Sequence, residues 1–304
     1  MDTWELSGDD DLRLIQDCAS RLWSPSSWWH PGGLAWEAGA ITDPEVGRVL
    51  LIGSGDVLVA WAWLELPGHL GAQIDPVHPS VAGHVVDWFL ENAGDDSLTA
   101  QVSDGDVAIQ TALASAGFAE LEGAPYFLDM RQVAAPCHIT LADGYGIRSV
   151  RPDEAATRAR LHRAAWEPGK LPFGPGHRPD FPAGAESSFS EDSYELVQST
   201  WPYRSELDLV AVAPDGTLAA SCIAWLDDAT GAAEIEPVGT DPAHRGLGLA
   251  AALCLAAVQR VSELGGTEVA IHARGDEAYP VPRRVYGRCG FLAVNRTRTY
   301  GRTG

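Results

Sequence analysis

The sequence predicts an α/β protein with mixed sheets, laid out as two tandem copies of one unit. Three observations carry this. Strand-like and helix-like apolar runs alternate along the chain. Their order repeats after residue 145. The composition, 45% apolar and 21% charged over 304 residues, is that of a folded globular protein. The length suits two ordinary domains. They are expected at 1–135 and 146–304, joined by a linker at 136–145 within the stretch VAAPCHITLADGYG.

In the first copy, RVLLIG and VLVAWAWLEL flank the turn SGD and read as a β-hairpin. GAQIDPVH supplies a further strand, and SVAGHVVDWFLENAG has helical spacing with a glycine at its end. SLTAQVS reads as a short strand. GDVAIQTALASAGF reads as a helix ending at Gly117, with Phe118 opening another strand. The second copy repeats this order. GIRSV is a strand, and DEAATRARLHRAAW is a helix behind Pro152. DLVAVA and LAASCIAWL form a hairpin around Pro214-Asp215-Gly216, followed by the strand AAEIEPVGT. Gly246 to Leu264 reads as a helix closed by Gly265-Gly266. TEVAIHA is a strand. PVPRRVYGRCGF is a helix with its prolines in the first turn, where they are tolerated, ending at Gly290-Phe291.

The charge balance narrows the function. There are 42 carboxylates against 21 basic residues, of which Lys170 is the only lysine, for a net charge of −21. Such a chain is a poor binder of nucleic acid or of an anionic membrane. It suits a cationic partner such as an amine, and it equally suits plain solubility. No apolar run is long enough to span a membrane, and the acidic start MDTWELSGDDDLRL is no signal peptide. Five scattered cysteines without a CxxC pair suggest a reducing cytoplasm, no disulfide framework and no metal site. Cys254, in an apolar run, reads as core.

One stretch breaks the pattern of packed elements: DPAHRGLGLAAA, residues 241–252, between a strand and a long helix. The first amides of a helix lack partners and carry partial positive charge. Gly246, Gly248 and Ala250 keep side chains away, so a pyrophosphate can approach those N–H groups, and Arg245 adds a charged donor fork. The P-loop pattern is missing. The dinucleotide fingerprint is imitated, with Ala251 at the third glycine place and Glu263 and Glu268 near the acidic position. But a hairpin precedes this turn, where the fingerprint needs a βαβ start.

Pro242-x-x-Arg245-Gly246-x-Gly248-x-Ala250 resembles the acyl-CoA-binding loop of the GNAT N-acyltransferases. Tyr286-x-x-x-Gly290-Phe291 resembles that superfamily's next signature, and the element order agrees over about 145–300. The resemblance implies two tandem GNAT-like domains. In the second, the main chain of Val238, Gly239 and Thr240 pairs with the pantetheine arm like an added strand. The amides of Arg245, Gly246, Leu247, Gly248, Leu249 and Ala250 hold the pyrophosphate. Tyr286 protonates the departing thiolate. Seven residues before that tyrosine the family often has asparagine; here it is Tyr279, which departs from that contact.

The implied chemistry needs a base, since an amine of pKa near ~10 is mostly protonated at neutral pH. Glu234 and Glu236 lie two apart on a strand and so face one side. Either can serve, directly or through water, and Glu236 is nearer the acyl end. The pair also reads as charges on a solvated face, and Tyr286 as a tyrosine packed beside Phe291. In the first half, aligning Pro79 with Pro242 sets Ala82, Val85 and Asp87 where Arg245, Gly248 and Ala250 stand. Aligning Gly117 with Gly290 sets Leu113 where Tyr286 stands. The first domain therefore reads as degenerate. Its Trp23, Trp28, Trp29 and Trp36 read as packing or as a cage for a cationic or sugar-like ligand. The Pro/Gly-rich stretch 166–184 suits an acceptor loop.

The expected activity is transfer of an acetyl group from acetyl-CoA to the primary amine of a small molecule. It proceeds by direct attack, with the oxyanion held by a strand amide near Val238 and Tyr286 as general acid. No metal, nucleic acid or membrane is expected; the place is the cytoplasm, and a homodimer is compatible. The alternatives are a protein or peptide N-acetyltransferase and a non-catalytic acyl-CoA sensor.

Overall fold

The structure, a computed structural model, describes residues 1–94, 97–177 and 185–303. It divides into two compact units: Met1–Asp129 together with the residues from Val294 onward, and Met130–Ala293. The expected boundaries differ from this at one telling place. The last strand of the chain belongs to the first unit.

Unit 1 opens with β1 (Asp2–Glu5), α1 (Asp9–Arg21), α2 (Pro31–Trp36) and α3 (Ala38–Ile41). There follow β2 (Gly47–Ser54), β3 (Val57–Glu65), β4 (His69–Ile74), α4 (Val81–Asn92), β5 (Ser97–Ser103), α5 (Val107–Ser115) and β6 (Ala119–Glu120). β7 (Phe127–Val133) crosses into unit 2. Unit 2 continues with β8 (Gly146–Ser149), α6 (Ala155–Ala165), α7 (Glu191–Ser199), β9 (Asp208–Val212), β10 (Leu218–Asp227) and β11 (Ala232–Thr240). It ends with α8 (Leu249–Glu263), β12 (Glu268–Arg274) and α9 (Val281–Arg288). β13 (Leu292–Thr303) returns the chain to unit 1.

The unit 1 sheet runs β1-β2-β3-β4-β5-β13, antiparallel except for the parallel β4–β5 pair. β2 shows why the run RVLLIG is apolar without alternation. Leu50 and Ile52 pack with Val85, Phe89 and Leu113 of α4 and α5. Val49 and Leu51 pack with Ile15 and Leu34 of α1 and α2. Both faces are covered, so both parities are hydrophobic. α4 starts at Val81, so the stretch aligned with the Gly-rich turn is already helix, and Val85 and Leu113 are 0% exposed.

The unit 2 sheet runs β8-β9-β10-β11-β12, antiparallel except for the parallel β11–β12 pair. The end of β7 lies beside β12, where the Ala134 amide donates to the Thr267 carbonyl at 2.9 Å. Every residue of β10 is buried, and α6 and α8 both pack on it. Beneath α6, Arg158 and Asp208 form an ion pair at 3.4 Å with both side chains 0% exposed. The hydroxyls of Tyr194 and Tyr203 also donate to Asp208. α1–α3, α7, β1, β7 and β13 were not expected from the sequence. All five cysteines are free thiols, with Cys254 fully buried.

Candidate functional site

Unit 2 holds a cavity of about 460 Å³ at the C-terminal end of β11. It exists because two neighbouring strands part. β11 and β12 pair from Ala232–Glu268 to Ile235–Ile271 and no further, although β11 continues to Thr240 and β12 to Arg274. Where they part, β11 carries a bulge: Glu236 and Pro237 together oppose the single residue Ile223 of β10. Beyond it, Val238, Gly239 and Thr240 stay paired with β10 on one side. Their other edge has no strand partner among the described residues, and all three line the cavity.

Gly239 is where β11 and a tryptophan come close. A Cβ there would sit 2.9 Å from the Ala165 Cβ and 3.1 Å from Trp166 Nε1. Trp166 lines the cavity, and its buried indole N–H has no hydrogen-bond acceptor. A donor left in that state costs free energy that an incoming carbonyl recovers.

The turn beyond β11 opens with Asp241, whose carboxylate accepts from the Ala243 amide at 2.8 Å and starts one 3₁₀ turn, Pro242–His244. Gly246 and Gly248 then adopt φ of 82° and 75°. That left-handed backbone favours glycine, so these residues are required by conformation as well as by clearance. α8 consequently begins at Leu249, three residues later than its apolar spacing suggests. Gly248 at the cap offers no side-chain acceptor, so the first amides of α8 are left for another partner. Gly246, Gly248, Leu249 and Ala250 line the cavity. Leu247 does not; its side chain is 43% exposed.

Arg245 behaves differently from the expected free donor fork. Its Nε donates to the Thr240 carbonyl at 3.3 Å and its Nη2 to the Ala165 carbonyl at 3.0 Å; Nη1 donates to the Lys170 carbonyl. It fastens the end of β11 to the segment after α6. Guanidinium has five N–H donors, so two remain for a ligand. Arg245 and Arg288 supply positive charge at the cavity, His244 lines it as well, and no carboxylate lines it among the described residues. In a chain of net charge −21 this is a local reversal.

α9 forms the opposite wall. Tyr286 is 7% exposed, with its ring 6.4 Å from Phe291. Burial pushes its hydroxyl well above the ordinary tyrosine value, and Cys254, Glu236, Tyr279 and Cys222 add to the rise. Tyr279 also lines the cavity, stacked on Phe173 at 5.0 Å; burial raises its hydroxyl while Arg245 lowers it.

The two glutamates are separated by their surroundings. Glu234 is buried and pairs with His272 Nδ1 at 3.1 Å. Glu236 sits in the bulge, half-buried, and its charge reaches Tyr286 and Cys222. Neither lines the cavity. Trp166, His244 and Arg288 were missed in the sequence. Arg288 had a readable signal, two residues after Tyr286 on the same helix. The stretch 166–184 reaches the cavity through Trp166 and Pro172. Its part from 178 to 184 lies outside the described residues.

The unmet indole N–H, the open strand edge and the left-handed turn fit an acyl-CoA: a carbonyl, an amide-bearing arm and a diphosphate, respectively. Among the described residues no helix is long and apolar enough to cross a membrane, and no cluster of His, Cys, Asp or Glu could hold a metal ion.

Residues 176–291 match the model of the acetyltransferase (GNAT) family. No curated protein matches the sequence. Solved structures are similar over 99% of the chain. One is a tandem GNAT protein from the clavulanic acid biosynthesis pathway, at 15% identity, TM-score 0.62 and 97% of that chain. Another is a GCN5-related N-acetyltransferase from Sphaerobacter thermophilus, at 18% identity, TM-score 0.56 and 95% of that chain. A third is an acetyltransferase of the GNAT family from Colwellia psychrerythraea, at 14% identity, TM-score 0.59 and 99% of that chain. At such identities the structures speak for the fold. The match to the GNAT acetyltransferase family model thus falls within unit 2, and the chain shares its fold along its whole length with tandem GNAT and GNAT-family structures.

Proposed function

We propose that unit 2 transfers the acetyl group of acetyl-CoA to the primary amine of a small molecule. The observation that carries this is the convergence, in one cavity of about 460 Å³, of the open β11 edge, the Gly246–Gly248 turn and the Tyr286 hydroxyl. Acetyl-CoA, when bound, supplies the activated acetyl group.

The chain's own residues divide the work. Val238–Thr240 offer main-chain groups to an extended amide-bearing arm, as one strand to another. The amides from Gly246 to Ala250, with Arg245, hold a diphosphate. The Trp166 indole N–H donates to a carbonyl at Gly239. Glu236, half-buried and within electrostatic reach of Tyr286, takes the amine proton, directly or through water. Tyr286 keeps its proton at neutral pH, as any tyrosine does, and burial raises its hydroxyl further. A phenol at ~10 is a weaker acid than a thiol at ~8.5, so full transfer is uphill by about 2 kcal/mol even before the rise. Tyr286 therefore acts by hydrogen-bonding the sulfur as negative charge develops there.

The test is a free-thiol assay with acetyl-CoA against amino sugars, amino acids, polyamines and peptides. Turnover on a small amine, lost in Tyr286→Phe, supports the reading. Thiol release with peptides alone moves the acceptor class to proteins. Acetyl-CoA binding with no thiol released across the panel removes transfer altogether.

A further inference from the structure

Unit 1 has a cavity of about 500 Å³ at the place in its fold that answers to the one in unit 2. Gln73 and Ile74 at the end of β4 stand where Val238–Thr240 stand on β11. Trp28 and Trp29, after α1, stand where Trp166 stands after α6. Asp106, just ahead of α5, and the first turn of α5 stand where the start of α9 stands. The charge is inverted. Two arginines and no carboxylate line the unit 2 cavity among the described residues. Among the described residues, one carboxylate and no arginine, lysine or histidine line that of unit 1. The left-handed turn is missing too, since α4 starts at Val81. A diphosphate has nothing to hold it there and a carboxylate to repel it.

We infer that this cavity binds a small organic ammonium ion, with the Asp106 carboxylate as counter-ion and the indoles of Trp28 and Trp29 as its walls. Asp106 precedes α5, where an aspartate ordinarily caps the first amides, yet its side chain makes no capping bond. No hydrogen bond or ion pair reaches its carboxyl among the described residues. Burial pushes that carboxyl up to about 7, a cost that a bound cation relieves. The walls are held in place beforehand. Trp29 Nε1 donates to the Ala72 carbonyl at 2.9 Å, and its ring lies 4.8 Å from that of Trp61. Trp28 packs edge-on to Phe127 at 6.4 Å. Fixed indole faces beside a carboxylate attract an ammonium group by the ring quadrupole and by charge together. Ser24 and Ser27 hydroxyls and the Gln73 amide line the rest, suiting a ligand with neutral polar groups.

The site owes nothing to the transfer chemistry assigned to unit 2, and the experiment separates the two. The full chain is titrated with choline, ethanolamine and putrescine, and with acetate as the anionic control, at constant ionic strength. Calorimetry and tryptophan fluorescence give the readout. Saturable binding of a cation, weakened ~10-fold or more in Asp106→Asn, is expected. CoA affinity stays within about twofold in Asp106→Asn, since its charged contacts lie in unit 2. If Asp106→Asn melts early, Trp28→Leu carries the same expectation. No saturable binding by any of the three cations overturns the inference. So does undiminished binding in the variants, or CoA occupying two sites per chain with one sensitive to Asp106.

Discussion

Replacing Gly248 with alanine asks whether the turn before α8 is built for its backbone shape. The φ of 75° is the relevant quantity. A Cβ at this position meets nothing within 4 Å, so the substitution adds no clash. The cost is conformational: an L-residue in the left-handed region costs about 1–2 kcal/mol. For a unit of this size each kcal/mol moves the melting temperature by ~2–4 °C, so Gly248→Ala should lower it by ~2–8 °C. If the turn relaxes to negative φ instead, the amides from Gly246 to Ala250 no longer converge. CoA affinity should then fall by tenfold or more, the loss of about 1.4 kcal/mol of binding. Calorimetric titration with CoA and thermal unfolding without it give the two numbers. Gly248→Asn is the control, because asparagine tolerates left-handed backbone and should recover part of the stability. An alanine variant that melts and binds CoA like the wild type would refute the argument. The turn would then need neither its glycine nor its shape.

Tyr286→Phe should lower turnover by ~10²–10⁴ while CoA affinity persists, as steady-state kinetics beside calorimetry will show. Glu236→Gln should abolish the basic-group limb of the rate–pH profile. Glu234→Gln should instead loosen the contact with His272 and leave that limb in place. Asp208→Asn leaves the wholly buried Arg158 without its counter-charge and should cost about 3–5 kcal/mol of unfolding free energy in urea. His162 is held neutral, its imidazole lowered from 6.5 to about 3 by burial first and then by Arg158 and Arg163. The unfolded chain takes up that proton as pH falls through 6.5, the folded chain only near 3. His162 therefore makes stability whole above 6.5 and declining below it, and denaturation of His162→Gln between pH 7 and 4 should show a shallower decline.

Repeating strands and helices could be read from the sequence because both sheets have covered faces, and covering makes runs such as LAASCIAWL apolar throughout. β7 could not. Asp129 and Arg131 interrupt its apolar run and are buried, and only folding brings Glu268 to Arg131, at 3.1 Å. β13 alternates threonine and arginine, a pattern that looks solvated until Asp104 and Glu120 pair with Arg298. At the site, Gly246, Gly248 and Tyr286 were readable as motif residues. The period of two set Glu234 and Glu236 side by side, but the bulge at Glu236–Pro237 breaks that period where it mattered. The role of Arg245 was hidden for another reason: its acceptors are backbone carbonyls, which carry no sequence signature.

Strand β13 sets an order of events during synthesis. Residues 1–129 leave the ribosome first, yet their sheet lacks the partner of β5 until residues 294–303 follow. Residues 130–293 are one uninterrupted segment and need no such wait. The part made first is thus the part finished last. A nascent or prematurely terminated chain ending before Val294 would present a complete unit 2 together with a unit 1 that has a bare strand edge, the kind of surface that chaperones and proteases recognise.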